Sequence, residues 1–253
     1  MIVTLPNMVS RPSRVRFQEP DKIGSDIVSY ATTFTDKAAG MPQLILVEIP
    51  EPGSVLPPHY HASDQFQLVL EGGGRLASHS IDPVSLHYTN KYTGYGPIVA
   101  GPRGLSYYVL RPSFDPLGLG QYLHDPKLRE VARRYPGKRR SFVENGIELL
   151  PPAALGQVRG SVSKRLFGVS EPEPDAGLFA DLVTHGPDTA FDCADPSTGG
   201  GQALFILGGS ASYGGQTLEA PSAIVVTREE RPIRVEAGRG GLQMLVMQYP
   251  RWT

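Results

Sequence analysis

The strongest constraint on this chain is a series of apolar runs of five to eight residues, each cut off by glycine or proline. They are IVSYATTF (27–34), QLILVEI (43–49), QFQLVL (65–70) and LSYYVL (105–110), then LFADLVTH (178–185), QALFIL (202–207), AIVVT (223–227) and LQMLVMQ (242–248). Runs this short, rich in β-branched and aromatic residues and bounded by turn formers, predict strands of a sandwich or barrel. The 29 glycines and 24 prolines of the 253 residues supply the turns. With 40% hydrophobic and 19% charged residues, the chain can bury an ordinary globular core. The single cysteine, Cys193, excludes an internal disulfide and a thiolate metal cluster. A formal net charge of −1 gives no global pull toward nucleic acid or an anionic membrane. The first residues lack a basic segment followed by an apolar one, and no apolar run reaches membrane-spanning length, so the expected compartment is the cytoplasm.

The organisation reads as four segments. Residues 1–26, with Pro6, Pro12 and Pro20, form an irregular arm; 27–112 form a first β region; 113–160 a connector; 161–253 a second β region. Within the connector, Asp125–Pro126 is a helix N-cap and first-turn pair, and Leu128, Val131, Ala132 and Tyr135 recur at helical spacing. Pro136–Gly137 stops that one helix. The neighbouring Arg133, Arg134, Lys138, Arg139 and Arg140 read as a solvated basic face, with no interleaved aromatics that would suit nucleic acid. The two β regions look duplicated: QFQLVLEGGG (65–74) and QALFILGGSA (202–211) share a leading Gln, apolar alternation and a glycine turn.

Chemistry concentrates at PPHYHASDQ. His59 and His61 lie two apart, so on a strand both imidazoles project from one face, and Gln65, Gln67 and Val69 continue inward. Two imidazoles with a further oxygen or nitrogen ligand can hold a divalent metal. His79, His124 and His185 have no convergent partners, and His87 reads as a surface histidine.

The spacing Gly53, His59, His61, Gln65, Gly72 resembles the first motif of the cupin superfamily, with Gln65 in place of the usual Glu. Gly96, Pro102, Gly104 and Tyr107 resemble the second motif, with Tyr107 in place of the usual His and Arg111 in place of the usual Asn. The resemblance covers about 27–111 and reaches the second region only through the duplication. It implies an all-β protein of two tandem jelly-roll (double-stranded β-helix, RmlC-like) barrels joined by a short helical connector. It also implies a divalent metal (Fe, Mn, Ni or Zn) in the first barrel, held by His59, His61 and Gln65, with Tyr107 a further candidate. Tyr107 has three roles open to it: phenolate ligand, acid/base catalyst, or an aromatic plug. In the second barrel Pro196 and Thr198 fall where the histidines would sit, so a structural role is expected there.

Two functions follow from this reading. One is a metal-dependent enzyme of dioxygenase, isomerase or lyase type, acting on a small polar or anionic molecule that compensates the metal's charge. The other is a non-catalytic bicupin that binds a small ligand or serves structurally. A homodimer is compatible with both, and neither requires nucleic acid or membrane.

Overall fold

The computed structural model describes residues 1–9, 14–18, 28–35, 40–118, 120–173 and 175–251. Two compact units emerge, Arg11–Ile147 and Met1–Ser10 with Glu148–Thr253.

In the unit Arg11–Ile147, a seven-stranded antiparallel sheet runs in the order Ser141–Glu144, Ser85–Thr89, Gln65–Glu71, Leu105–Arg111, Gln43–Ile49, Val28–Thr33, Arg14–Gln18. A second sheet of four short strands is built from Val55–Leu56, Ile98–Ala100, Gly74–Leu76 and His79–Ser80. Ile49, Val69, Leu76, Ile98, Leu105 and Val109 form one buried cluster drawn from both sheets. Strand alternation sends Gln67, Val69, Tyr107, Val109 and Arg111 to this interior, while Phe66 and Leu68 are buried on the opposite face. Two motif glycines make the close approach possible: a side chain on Gly72 would meet the carbonyl of Gly104 at 2.3 Å, and both residues have positive φ.

This unit reaches past residue 112, which the sequence suggested as its end. Ser141–Glu144 joins the large sheet beside Ser85–Thr89, where Phe142 packs against Tyr88, and Gln121–Tyr122 pairs with His59–Tyr60. The expected helix is present as Pro126–Arg134, with Asp125 accepting from the Lys127 amide at 2.8 Å. Ala132 faces inward, whereas Val131 is exposed. A second, four-residue helix, Pro152–Leu155, follows, so the connector carries two helices among the described residues.

In the other unit, an eight-stranded sheet has the path Ile2–Leu5, Ser222–Val226, Gln202–Tyr213, Arg234–Gln248, Phe179–His185, Ser161–Gly168. Ile2–Leu5 was expected within an irregular arm. It is a strand instead, pairing antiparallel from Ile2 opposite Val226 to Leu5 opposite Ala223. Such pairing satisfies backbone groups that the edge of the sheet would otherwise leave open. Pro12 and Pro20 of that arm lie outside the described residues. Gln202–Tyr213 lies between its neighbours as Gln65–Glu71 does in the first sheet, and Phe179–His185 corresponds to Gln43–Ile49. The interior differs, being filled by Phe179, Leu204, Ile206, Met244 and Val246. Cys193 is buried there, and burial pushes its thiol up to about 12. No described helix is long and apolar enough to cross a membrane.

Candidate ligand pocket

The interior of Arg11–Ile147 opens into a cavity of about 320 Å³. Its walls are largely aliphatic and aromatic, among them Ile45, Val47, Val109, Phe114 and Tyr122. His59, His61, Gln67, Tyr95, Tyr107 and Arg111 contribute the polar groups.

Both motif histidines reach this cavity in a defined tautomer. His59 is clamped by backbone pairing with Tyr95 on one side and Tyr122 on the other. A side chain on Gly120 would meet its ring at 2.7 Å, so glycine there makes room for it. The His59 Nδ1–H donates to the Pro57 carbonyl at 2.8 Å, and the His61 Nδ1–H donates to Asp115 Oδ2 at 2.6 Å. Each ring therefore presents a bare Nε2, and the two rings meet edge to face with centroids 5.4 Å apart. Burial, reinforced by the Arg111 charge, lowers His59 to about 4 and His61 to about 3, so both are neutral at physiological pH. Burial works against ionisation of Asp115, but the His61 hydrogen bond and the nearby Arg111 charge hold its carboxyl below the usual range.

Gln65 does not line the cavity. Its amide oxygen accepts from Arg111 Nε at 3.0 Å and Nη2 at 2.9 Å. Arg111 Nη1 donates to Gln43 Oε1 at 2.6 Å and approaches Asp115 to 4.0 Å. The sequence suggested Gln65 as a metal ligand; here the guanidinium covers the oxygen that would bind. Tyr107 is buried at the cavity wall. Burial raises its pKa, away from the phenolate form that a ligand role requires. Of the four residues expected to converge on a metal, His59 and His61 offer imidazole nitrogens to a common space, Tyr107 lines it with a protonated phenol, and Gln65 is turned to Arg111. Among the described residues, no cluster of three His, Cys, Asp or Glu is arranged to hold a metal ion. The donor set fits a divalent ion in two positions only.

His87, read from sequence as a surface residue, is buried. Its strand pairs it directly with Gln67, and its Nδ1–H donates to Gln67 Oε1 at 2.7 Å while Nε2 accepts from Ser141 Oγ at 3.0 Å. Sequence reasoning also missed Tyr95 and Asp115. Tyr95 sits in the tyrosine-rich stretch between the motifs, between Gly94 and Gly96, and its hydroxyl accepts from Gln65 Nε2 at 2.7 Å and Gln67 Nε2 at 3.3 Å.

In the other unit, Gln202 Nε2 donates to Gln248 Oε1 at 2.8 Å. The register makes Gln202 and Gln248 direct partners, as Gln65 and Arg111 are one step beyond the Leu110–Phe66 pair. Gln248 thus stands where Arg111 stands, and a neutral amide replaces the cation.

No family model matches this sequence, and no curated protein matches it. Solved structures do match. Oxalate decarboxylase of Bacillus subtilis is 15% identical over 96% of this chain and 77% of its own, with a TM-score of 0.57. A Pseudomonas aeruginosa protein described as glyoxylate-induced is 15% identical over 98% and 87%, with a TM-score of 0.60. This chain has the cupin fold. A bacterial pirin from Escherichia coli in complex with nickel(II) shares the cupin fold at 12% identity over 99% and 100%, with a TM-score of 0.51. Oxalate decarboxylase itself has Mn(II) centres, so the cupins matched here include metal-associated ones.

Proposed function

We propose that the cupin unit Arg11–Ile147 binds a small organic anion, a carboxylate with a compact apolar body, in the cavity beside Arg111. One observation carries this reading. Arg111 is the only permanently charged residue lining the cavity among the described residues, while its counter-ion Asp115 is fully buried behind the wall. A ligand entering an aliphatic and aromatic cavity therefore meets one fixed cation. A guanidinium held in place by two glutamines is pre-organised for the planar fork of a carboxylate. The neutral Nε2 atoms of His59 and His61 present lone pairs to the same cavity. With pKa values of about 4 and about 3 they are poor proton acceptors in catalysis, and they act as lone-pair donors.

That lone-pair character supports a second reading, favoured further by the Mn(II) and nickel(II) of the fold neighbours. In it, His59 and His61 hold a divalent ion through Nε2, and ligand oxygens complete its coordination. Hydrogen bonds from Nδ1 to Pro57 and Asp115 are the outer support that ligating histidines require. The ion would supply Lewis-acid polarisation to an isomerase, lyase or dioxygenase reaction. Calorimetric titration of a carboxylate into the chelator-treated protein, with and without added Mn(II) or Ni(II), separates the two. Binding without metal supports the first reading, and binding only with metal supports the second. No binding in either arm removes the pocket from consideration.

A further inference from the structure

Two buried amides set the hydrogen bonds around Tyr95, and the first takes its direction from Arg111. A guanidinium has donors only, so the Gln65 atom that faces it must be the amide oxygen. The Gln65 NH₂ group then faces Tyr95, and the phenol oxygen must accept at 2.7 Å. With His87 in its Nδ1–H tautomer, Gln67 Oε1 accepts from that ring at 2.7 Å and the Gln67 NH₂ turns to the same phenol at 3.3 Å. Tyr95 therefore accepts from two amides, its acceptor capacity is used, and its own O–H must point elsewhere. Tyr95 lines the cavity together with His59 and His61, and among the described residues its hydroxyl donates to no group. Burial raises its pKa, so the proton stays on the oxygen across the physiological range.

We propose that Tyr95 is the specificity-determining donor of this pocket: it hydrogen-bonds an acceptor oxygen of the bound molecule. The ligand class is a carboxylate that carries a second, acceptor oxygen, as in an oxo acid. This inference rests on the carboxylate reading above. The arrangement is selective because a phenol with both acceptor positions filled cannot receive a hydrogen bond from a ligand amine or ammonium. Against a plain carboxylate, the oxo acid gains the hydrogen bond that this phenol otherwise leaves unmade.

The test uses three molecules of one shape, 4-methyl-2-oxopentanoate, 4-methylpentanoate and leucine, titrated calorimetrically into the full chain. Wild type is expected to bind the oxo acid roughly tenfold more tightly than 4-methylpentanoate, and leucine gains nothing from this phenol. Tyr95→Phe should bind the first two equally, because the ring stays and only the donor goes. That variant leaves two buried amides facing a ring edge, so a second variant guards against misfolding. Gln67→Glu keeps the side-chain shape but offers Tyr95 an acceptor, turning its proton away from the cavity. Its negative charge at the cavity wall weakens both carboxylates alike, so the ratio of their affinities is the readout, and that ratio should fall to about one. Wild-type binding of both carboxylates with equal affinity, or a preference that persists in Gln67→Glu and Tyr95→Phe, overturns the role of Tyr95 and leaves the carboxylate pocket standing. If none of the three binds wild type, the pocket reading fails and this inference with it.

Discussion

Arg111 and Gln65 are joined by two hydrogen bonds to a single amide oxygen, 3.0 Å from Nε and 2.9 Å from Nη2. In a metal-binding cupin arrangement that oxygen would face the ion. Here it positions a side chain that already carries the positive charge. The consequences are testable on both partners.

For Arg111, substitution should separate folding from binding. Arg111→Ala takes both guanidinium donors from the Gln65 oxygen, one from Gln43, and the cation from beside buried Asp115; breaking a buried charged pair in this way costs about 3–5 kcal/mol. A large fall in Tm is expected for that variant. Arg111→Lys keeps the charge and loses the fork. It should fold, and bind a carboxylate at least roughly tenfold more weakly than wild type by calorimetry.

Gln65→Glu tells the two functional readings apart. A carboxylate at this position forms a buried ion pair with Arg111 and cancels the charge that the cavity offers. Carboxylate affinity should then fall by roughly tenfold or more. If His59 and His61 instead hold an ion that position 65 can reach, the same substitution raises divalent-metal affinity, because a charged oxygen replaces a neutral one. Parallel titrations with a carboxylate and with Mn(II) give opposite signs under the two readings.

Much of this arrangement was legible before the structure. Glycine and proline punctuation and the two motif spacings gave the all-β jelly roll. Strand parity put Gln65, Gln67, Val69, Tyr107 and Val109 on the inner face, and His59 with His61 on a common side. What escaped were contacts made across long sequence separations. Asp115 lies 54 residues from His61, on the segment after the last strand of the motif, and nothing local marks it as a partner. Arg111 was visible as a substitution in the second motif, and its parity with Tyr107 and Val109 already pointed inward. An arginine on an interior strand face is the signal to weigh, since guanidinium groups are almost never buried without a purpose. His87 shows the same lesson: its strand neighbour Gln67, and not its local sequence, buries it.

Tyr107→Phe tests whether the residue at the usual histidine position acts in the chemistry. Burial keeps its hydroxyl protonated. Removing the oxygen should change stability by less than about 1 kcal/mol and carboxylate affinity by less than about threefold. A loss of ligand binding comparable to that of Arg111→Lys would return Tyr107 to the centre of the site.

The buried imidazoles predict how stability responds to acid. His87 is held at about 3, with burial the main cause and the His59 and His79 charges adding to it; His59 and His61 lie at about 4 and about 3. In the unfolded chain each titrates near about 6.5. Between pH 6.5 and the folded values, the unfolded state therefore binds more protons than the folded one, and stability rises with pH across that window. Lowering the pH from 6.5 toward 4 should steadily reduce the free energy of unfolding, while above pH 7 these groups contribute no slope. His87→Gln removes one titrating group and keeps a side chain able to hydrogen-bond both Gln67 and Ser141. Its stability at pH 7 is expected to be lower than that of wild type, because the imidazole fits its site better. Its decline between pH 6.5 and 4 should be shallower, with about one proton fewer taken up on unfolding. Urea unfolding at half-unit pH steps measures both quantities. A slope unchanged in His87→Gln would mean that His87 is already protonated in the folded protein, and that its Nε2 donates to Ser141 instead of accepting from it.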